Sequence, residues 1–278
     1  MTTQAETRAA DYILGHEERE LQRLARQASF YEEATADVFL RAGIRPGMRV
    51  LDLGCGAGDV ALIAARLVGP TGAVIAIDRS SEAIRTTRLR AHAAGSWWLR
   101  AEQAEIDRYV AHEPFDAIVG RFVLLYVADP AATLRSLLRS LRPGGIVALH
   151  EMDLPTVRSV PELPILHEML RWIATAYERL GFELNMGSRL AQTYVRAGLP
   201  PPQLSGTARV ESGPRAATYE YFTETLRSAA PMIEKLGIAT QDEMALDTLA
   251  QRFRDTAVAA NACIQNPLLI GAWARFAG

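Results

Sequence analysis

Apolar residues recur along this chain in two rhythms. Over residues 17–42, Leu21, Leu24, Ala28, Tyr31 and Thr35 fall near one stripe with charged residues between them, the spacing of an amphipathic helix. From residue 50 the pattern changes to short apolar runs separated by helical stretches. Residues 50–53 read as a buried strand, 59–68 as a helix stopped by "GPTG", and "AVIAIDRS" as a second strand ending at Asp78. Ser80 or Ser81 is placed to cap a helix over 81–93, because a serine hydroxyl accepts from an otherwise unpaired helical N–H. A strand near 97–101, a helix or turn near 104–111, a strand in the first half of "FDAIVGRFVLLYV", a helix over 130–141 ended by "LRPGG", and a fifth strand, "IVALHEMD", continue the series.

Strands of this kind alternating with helices signal an open parallel sheet covered on both faces. Such sheets bind ligands beyond the carboxyl ends of their strands. Asp52, Asp78, Gly120, Arg121, His150 and Glu151 all fall at predicted strand ends and so converge on one crevice. After residue 153 the rhythm turns helical. Helices are predicted over 162–180, with Trp172 and Tyr177, and over 188–197; "QLSGTARV" reads as a strand. Tyr219, Phe222, Leu226, Ile233 and Leu236 make an apolar stripe in a further helix, 242–260 makes one more, and "LLIGAWARF" reads as a final strand. The expected organisation is an N-terminal helical segment (1–45), a core (46–211) with a helical excursion near 155–185, a helical lid (212–260), and a last core strand (261–278).

Composition narrows the class. The 278 residues carry a net charge of −2, which leaves no basic footprint for a nucleic-acid backbone. Lys235 is the one lysine among 30 basic residues, and with the abundant alanine this points to a GC-rich bacterial coding sequence. No basic start followed by an apolar run opens the sequence, and no stretch is apolar enough to span a membrane, so a cytoplasmic location is expected. Cys55 and Cys263, the only cysteines, are too few for a disulfide framework or a sulfur-ligated metal.

The most informative stretch is "VLDLGCGAGDVAL", residues 50–62. Gly54, Gly56 and Gly58 read G-x-G-x-G, whereas a dinucleotide fingerprint is G-x-G-x-x-G. Glycines here let backbone approach a ligand closely. Taken alone, the loop fits a dinucleotide, S-adenosylmethionine, or a tight turn with no ligand.

Further motifs separate these readings. With "VLDLGCGAG", the acidic second strand "VIAIDRS", "PFDAIVGRFVLLYVADP" and "LRPGGIVALHE", residues 47–153 resemble a class I S-adenosylmethionine-dependent methyltransferase, similar to the small-molecule branch that includes the quinone C-methyltransferases. The resemblance implies a Rossmann-like α/β fold, an open, mostly parallel seven-stranded sheet with helices on both faces. It also implies S-adenosylmethionine as cofactor, S-adenosylhomocysteine as product, and a small-molecule methyl acceptor as partner. Nucleic acid, membrane and metal are not expected, and a homodimer is compatible.

By the same resemblance, Asp78 accepts from the ribose hydroxyls and Asp52 stabilises the ligand's ammonium directly or through water. The backbones of Gly54, Cys55 and Gly56 line the methionine portion, and Arg79, Gln103 and Ala104 lie along the ribose and adenine. Gln103 departs from the acid common at its position. Arg121 follows strand four, with its side chain directed either to a carboxylate or to solvent. Tyr12 and Tyr31 sit where an N-terminal helix could close over the cofactor.

On the acceptor side, His150 is the candidate general base, because an imidazole titrates near neutral pH; packing at the sheet edge is the competing role. Glu151 is a second catalytic candidate, with Asp153 beside it. His16, Tyr126, Trp172, Tyr219 and Phe222 are candidates to contact the acceptor, and lid-to-core packing explains the aromatics as well. A non-catalytic binding module and a nucleic-acid methyltransferase are the alternatives. Against the latter, "GRFV" stands where an Asn/Asp-Pro-Pro-aromatic motif would be.

Overall fold

The computed structural model describes residues 18–278, with side chains from Phe30 onward. Tyr12 and His16 lie outside the described residues. In chain order the elements are α1 (Glu18–Ala42), β1 (Arg49–Leu53), α2 (Asp59–Val68), β2 (Ala73–Asp78), α3 (Ser81–Ala93), β3 (Leu99–Gln103), β4 (Phe115–Arg121), α4 (Pro130–Leu137), β5 (Leu141–Asp153) and β6 (Arg158–Val160). They continue as α5 (Pro164–Leu180), α6 (Met186–Ala197), β7 (Gln203–Thr207), β8 (Val210–Ser212), α7 (Thr218–Lys235), α8 (Gln241–Met244), α9 (Leu246–Ala259), β9 (Cys263–Gln265) and β10 (Leu268–Arg275).

Seven strands form the expected sheet, in the order β3-β2-β1-β4-β5-β10-β7. The pairings from β3 to β5 are parallel, and β10 runs antiparallel to both β5 and β7. Buried on both faces, the central strands are continuous apolar runs, as a covered parallel sheet requires. On one face Val38, Phe39 and Ala42 of α1 pack with Val50, Ala117, Val119 and Ala148. On the other, α6 lies on β5 and β10. Each fully buried large apolar side chain contributes about 1.5–3 kcal/mol.

Among the boundaries that differ from the sequence reading, four have a local reason. β3 starts two residues later than expected, because Trp97 faces solvent and the Trp98 indole donates to Ala65 O at 2.9 Å. "LRPGG" belongs to β5 as a bulge. Leu141 pairs with Phe115 and register resumes at Ile146 with Ala117, while Gly144 takes φ +77° between them. The helix expected over 242–260 is broken at Ala245, whose φ is +44°. "QLSGTARV" divides: β7 ends at Thr207, and Val210 begins β8 in a different sheet.

The chain separates into two compact units. One comprises Leu24–Val157, Glu183–Arg209 and Asn266–Gly278 and holds the seven-stranded sheet. The other contains Arg158–Phe182 and Val210–Gln265, with a three-stranded antiparallel sheet, β6-β9-β8, and helices α5, α7 and α9 in mutual contact. Inside it Tyr219 meets Phe253 edge-on with ring centroids 5.1 Å apart.

The seat of α1 on the sheet depends on Gly271. A Cβ placed there would lie 2.3 Å from Val38 Cγ2 and 3.1 Å from Ser205 Oγ. Gly271→Ala should therefore destabilise the fold by about 1–3 kcal/mol through overpacking. Gly206→Ala, where the nearest atom is 3.5 Å away, should leave the melting temperature essentially unchanged. Thermal denaturation of the two variants checks this.

Candidate functional site

The glycine loop between β1 and α2 is built from left-handed backbone. Gly54, Gly56 and Gly58 take φ of +57°, +51° and +85°, values that a side chain resists. Space is restricted as well. A Cβ on Gly54 would stand 3.0 Å from Val123 Cγ2, and one on Gly58 would stand 2.9 Å from Thr87. Thr87 on α3 donates to Gly56 O at 3.0 Å, and Cys55 N donates to Ile77 O at 2.9 Å, so neighbouring elements hold the loop. The Cys55 thiol is buried, and burial pushes its pKa up, which leaves it inert.

Asp78 ends β2 with its carboxylate turned to this loop. One oxygen accepts from Gly56 N and the other from Ser80 N, both at 2.9 Å. Each oxygen keeps a further lone pair. Ser80, in turn, caps α3 by accepting from Ala83 N. Gln103 lies opposite Asp78 in the β2–β3 register, and its amide donates to Arg79 O at 2.9 Å, while Ala104 N donates to Asp78 O. Arg79, Gln103 and Ala104 thus form one edge of the crevice.

Beneath α1 the strand ends present a second, charged cluster. Asp52 is fully buried, and beyond a slight pull from the Ala61 backbone N–H its carboxylate oxygens meet no hydrogen-bond partner among the described residues. Burial raises its pKa well above the ordinary range, opposed by the nearby Arg121 charge. Arg121 is buried as well. Its guanidinium donates to Thr35 Oγ1 at 3.0 Å and lies 3.9 Å from Asp59, which is more tightly engaged by Arg90. The expected choice for Arg121 between a carboxylate and solvent falls on the carboxylate side.

His150 is the register partner of Arg121 and is fully buried, with Nδ1 3.1 Å from Thr35 Oγ1. Burial and the Arg121 charge lower its pKa to about 3, so the imidazole is neutral at physiological pH. The near-neutral titration that recommended His150 as a base is therefore absent in this setting. Tyr31, one turn before Thr35, packs edge-on against Phe122 at 5.5 Å.

Glu151 serves another part of the fold. One carboxylate oxygen accepts from Val123 N at 2.9 Å and Leu124 N at 2.7 Å, at the turn that follows β4 and contains Tyr126. Burial raises its pKa to about 7, against the pull of these backbone donors. Just before that turn, Phe122 takes φ +56°, an uncommon conformation for a bulky residue that costs about 1–3 kcal/mol. Asp153 is structural: its carboxylate accepts from Ser188 N at 2.9 Å and from the Ser188 hydroxyl, holding the start of α6.

Not every predicted residue joins this cluster. Trp172, Tyr219 and Phe222 are buried side chains of the helical unit, and the Tyr219 hydroxyl donates to Gly213 O at 2.9 Å. Sequence reasoning also passed over Thr35, Asp59, Thr87 and Val123. A hydroxyl within the α1 apolar stripe was the available signal for Thr35; Asp59 and Val123 carry none.

Residues 44–193, more than half of the chain, match a family model described as a methyltransferase domain. The chain is 37% identical over 115 residues to a 2-phytyl-1,4-naphtoquinone methyltransferase of Synechococcus elongatus, across 40% of this chain and 48% of that protein. It is 33% identical over 135 residues to a trans-aconitate 2-methyltransferase of Azoarcus, across 47% of this chain and 51% of that one. The chain spans about half the length of the curated relatives it matches. A solved methyltransferase candidate from Bacillus halodurans superposes with a TM-score of 0.59 at 16% identity, over 87% of this chain and 97% of that one, a likeness of fold. With the glycine loop, the acidic β2 terminus and this sheet order, the chain belongs to the S-adenosylmethionine-dependent methyltransferase domain family.

Proposed function

We propose that this chain transfers a methyl group from S-adenosylmethionine to a small organic acceptor. The observation that carries the reading is Asp52: a fully buried carboxylate, two residues before the glycine loop, whose two oxygens meet no hydrogen-bond partner of ordinary geometry among the described residues. A group in that state is costly unless a cation meets it. The ammonium of the cofactor's methionine portion is such a cation.

The other residues fit the same molecule. The left-handed glycines leave bare backbone for its methionine portion, Asp78 has lone pairs left for two ribose hydroxyls, and the edge formed by Arg79, Gln103 and Ala104 suits the adenine. Tyr31 covers the crevice from α1. Bound there, S-adenosylmethionine supplies an electrophilic methyl carbon. The protein's part is alignment and exclusion of water, the main help that an in-line displacement needs.

His150, neutral and fixed by Thr35, orients a polar group of the acceptor by hydrogen bonding and does not store a proton at neutral pH. A small acceptor is supported by relatives named for a naphthoquinone and for trans-aconitate, and by a surface with net charge of −2 that suits no nucleic-acid backbone. Purified protein given methyl-labelled S-adenosylmethionine and a panel of quinols, unsaturated acids and amines should form S-adenosylhomocysteine with some members only. Tight binding without turnover on any extract of small metabolites would instead identify a binding module.

Two variants examine the cofactor residues. Asp78→Ala should weaken S-adenosylhomocysteine binding by about 2–3 kcal/mol, the scale of lost charge-assisted hydrogen bonds, as read by calorimetry. For Asp52 the raised folded-state pKa means that the unliganded protein loses stability as pH rises above the unfolded value, near 3.9. Asp52→Asn should therefore match or exceed wild type in melting temperature at neutral pH, with the difference vanishing toward pH 4. The same variant should bind S-adenosylhomocysteine about 10- to 100-fold more weakly. Wild-type affinity should rise with pH as the Asp52 carboxyl ionises, while that of Asp52→Asn stays flat.

A further inference from the structure

Glu151 is buried, yet its surroundings separate it from the other strand-end polar residues. Asp52 pairs in register with Val119 and Arg121 with His150, and side chains two apart on a strand share a face. Asp52, Arg121 and His150 therefore project to the α1 side. Glu151, next along β5, starts from the opposite side, where Tyr194 of α6 is buried and donates to Ala272 O at 2.7 Å. It does not share the pocket face with His150.

From there the carboxylate reaches the turn after β4. Buried backbone N–H groups need acceptors, and such a turn is ordinarily capped by a short polar side chain beside it. Val123 stands at that position and offers none. The acceptor comes instead from Glu151, 28 and 27 residues later, which takes both N–H groups with one oxygen. Its neighbour His150 takes the Phe122 N–H with a backbone carbonyl at 3.0 Å. Two consecutive residues of β5 thus hold a turn that begins with left-handed Phe122. The turn in turn presents Val123, whose methyl groups lie 3.0 and 3.3 Å from where a Cβ on Gly54 would be.

We propose that Glu151 is the positioning residue of the cofactor loop: its clamp on Val123 N and Leu124 N sets where the Val123 side chain rests against Gly54. This assignment rests on the methyltransferase reading for the identity of the ligand. Glu151 itself touches no reacting atom. What the position requires is an acceptor oxygen at that distance, and a neutral amide supplies one.

The experiment compares Glu151→Gln with Glu151→Leu by calorimetric titration of S-adenosylhomocysteine and by thermal denaturation. Glu151→Gln should bind within about threefold of wild type, because its amide oxygen accepts the same two N–H groups. Glu151→Leu leaves both donors unsatisfied and should bind at least about tenfold more weakly. Phe115→Leu, a core truncation at the start of β4 and so at the far end of that strand from the candidate site, serves as the stability control, losing melting temperature while keeping wild-type affinity.

Val123→Ala retains the clamp, removes the contact over Gly54, and should weaken binding severalfold; it carries the test alone if Glu151→Leu does not fold. Equal losses in Glu151→Gln and Glu151→Leu would overturn the proposal in favour of a role for the charge. Wild-type affinity in Glu151→Leu, or in Val123→Ala, would overturn it outright. A wild-type protein that binds no S-adenosylhomocysteine removes the methyltransferase reading, and this assignment with it.

Discussion

The Thr35 hydroxyl joins α1 to the sheet in polar terms. It donates to Tyr31 O at 3.0 Å, accepts from Arg121 at 3.0 Å, and has His150 Nδ1 3.1 Å away. A hydroxyl has one hydrogen and two lone pairs, so with its hydrogen given to Tyr31 it receives from both the guanidinium and an Nδ1–H. In that arrangement Nδ1 carries the imidazole hydrogen, whereas a Thr35 hydrogen turned to Nδ1 places it on Nε2, so the hydroxyl and the ring set one another's hydrogens. Thr35 also fixes Arg121, and the Arg121 charge governs the rest of the cluster. The same cation draws Asp52 toward ionisation and discourages His150 from acquiring a proton. Asp59 does not cancel it, because Asp59 is claimed more closely by Arg90.

The strand ends consequently divide their labour by face. On the α1 side the Asp52 oxygens meet no hydrogen-bond partner of ordinary geometry among the described residues, the condition in which a buried site favours a ligand that completes it. On the α6 side one Glu151 oxygen is taken by the turn after β4, while its other oxygen is buried without a hydrogen-bond partner among the described residues, and Asp153 holds the start of α6. Two acidic residues near one another on β5 thus act as internal caps for segments distant in sequence.

Much of this was legible in the sequence, and the reason is local. Elements bounded by strong punctuation were read with their limits: α2 between Gly58 and Gly69, β2 between Gly72 and Asp78, α3 behind its Ser80 cap. Where the signal was hydrophobicity alone, limits slipped, as at β3, where two tryptophans look like strand but precede it. The break at Ala245 was invisible, since alanine favours helix and only tertiary context places it at positive φ. In the candidate site, the motif singles out Asp52, Asp78 and the glycines. The His150 environment was not, because a pKa of about 3 is made by burial and by Arg121, neither of which a sequence displays. Glu151 looked catalytic for the same reason: its partners are backbone N–H groups, which every residue carries.

The insertion of β10 between β5 and β7 has a kinetic consequence. β7 has no neighbour in the sheet except β10, and β10 follows β5 by more than 100 residues, so this edge of the sheet waits on the last strand of the chain. Contacts of such sequence separation form slowly. The antiparallel edge is therefore a late addition to a parallel core whose own strand ends, on β1, β2, β4 and β5, already carry the candidate site.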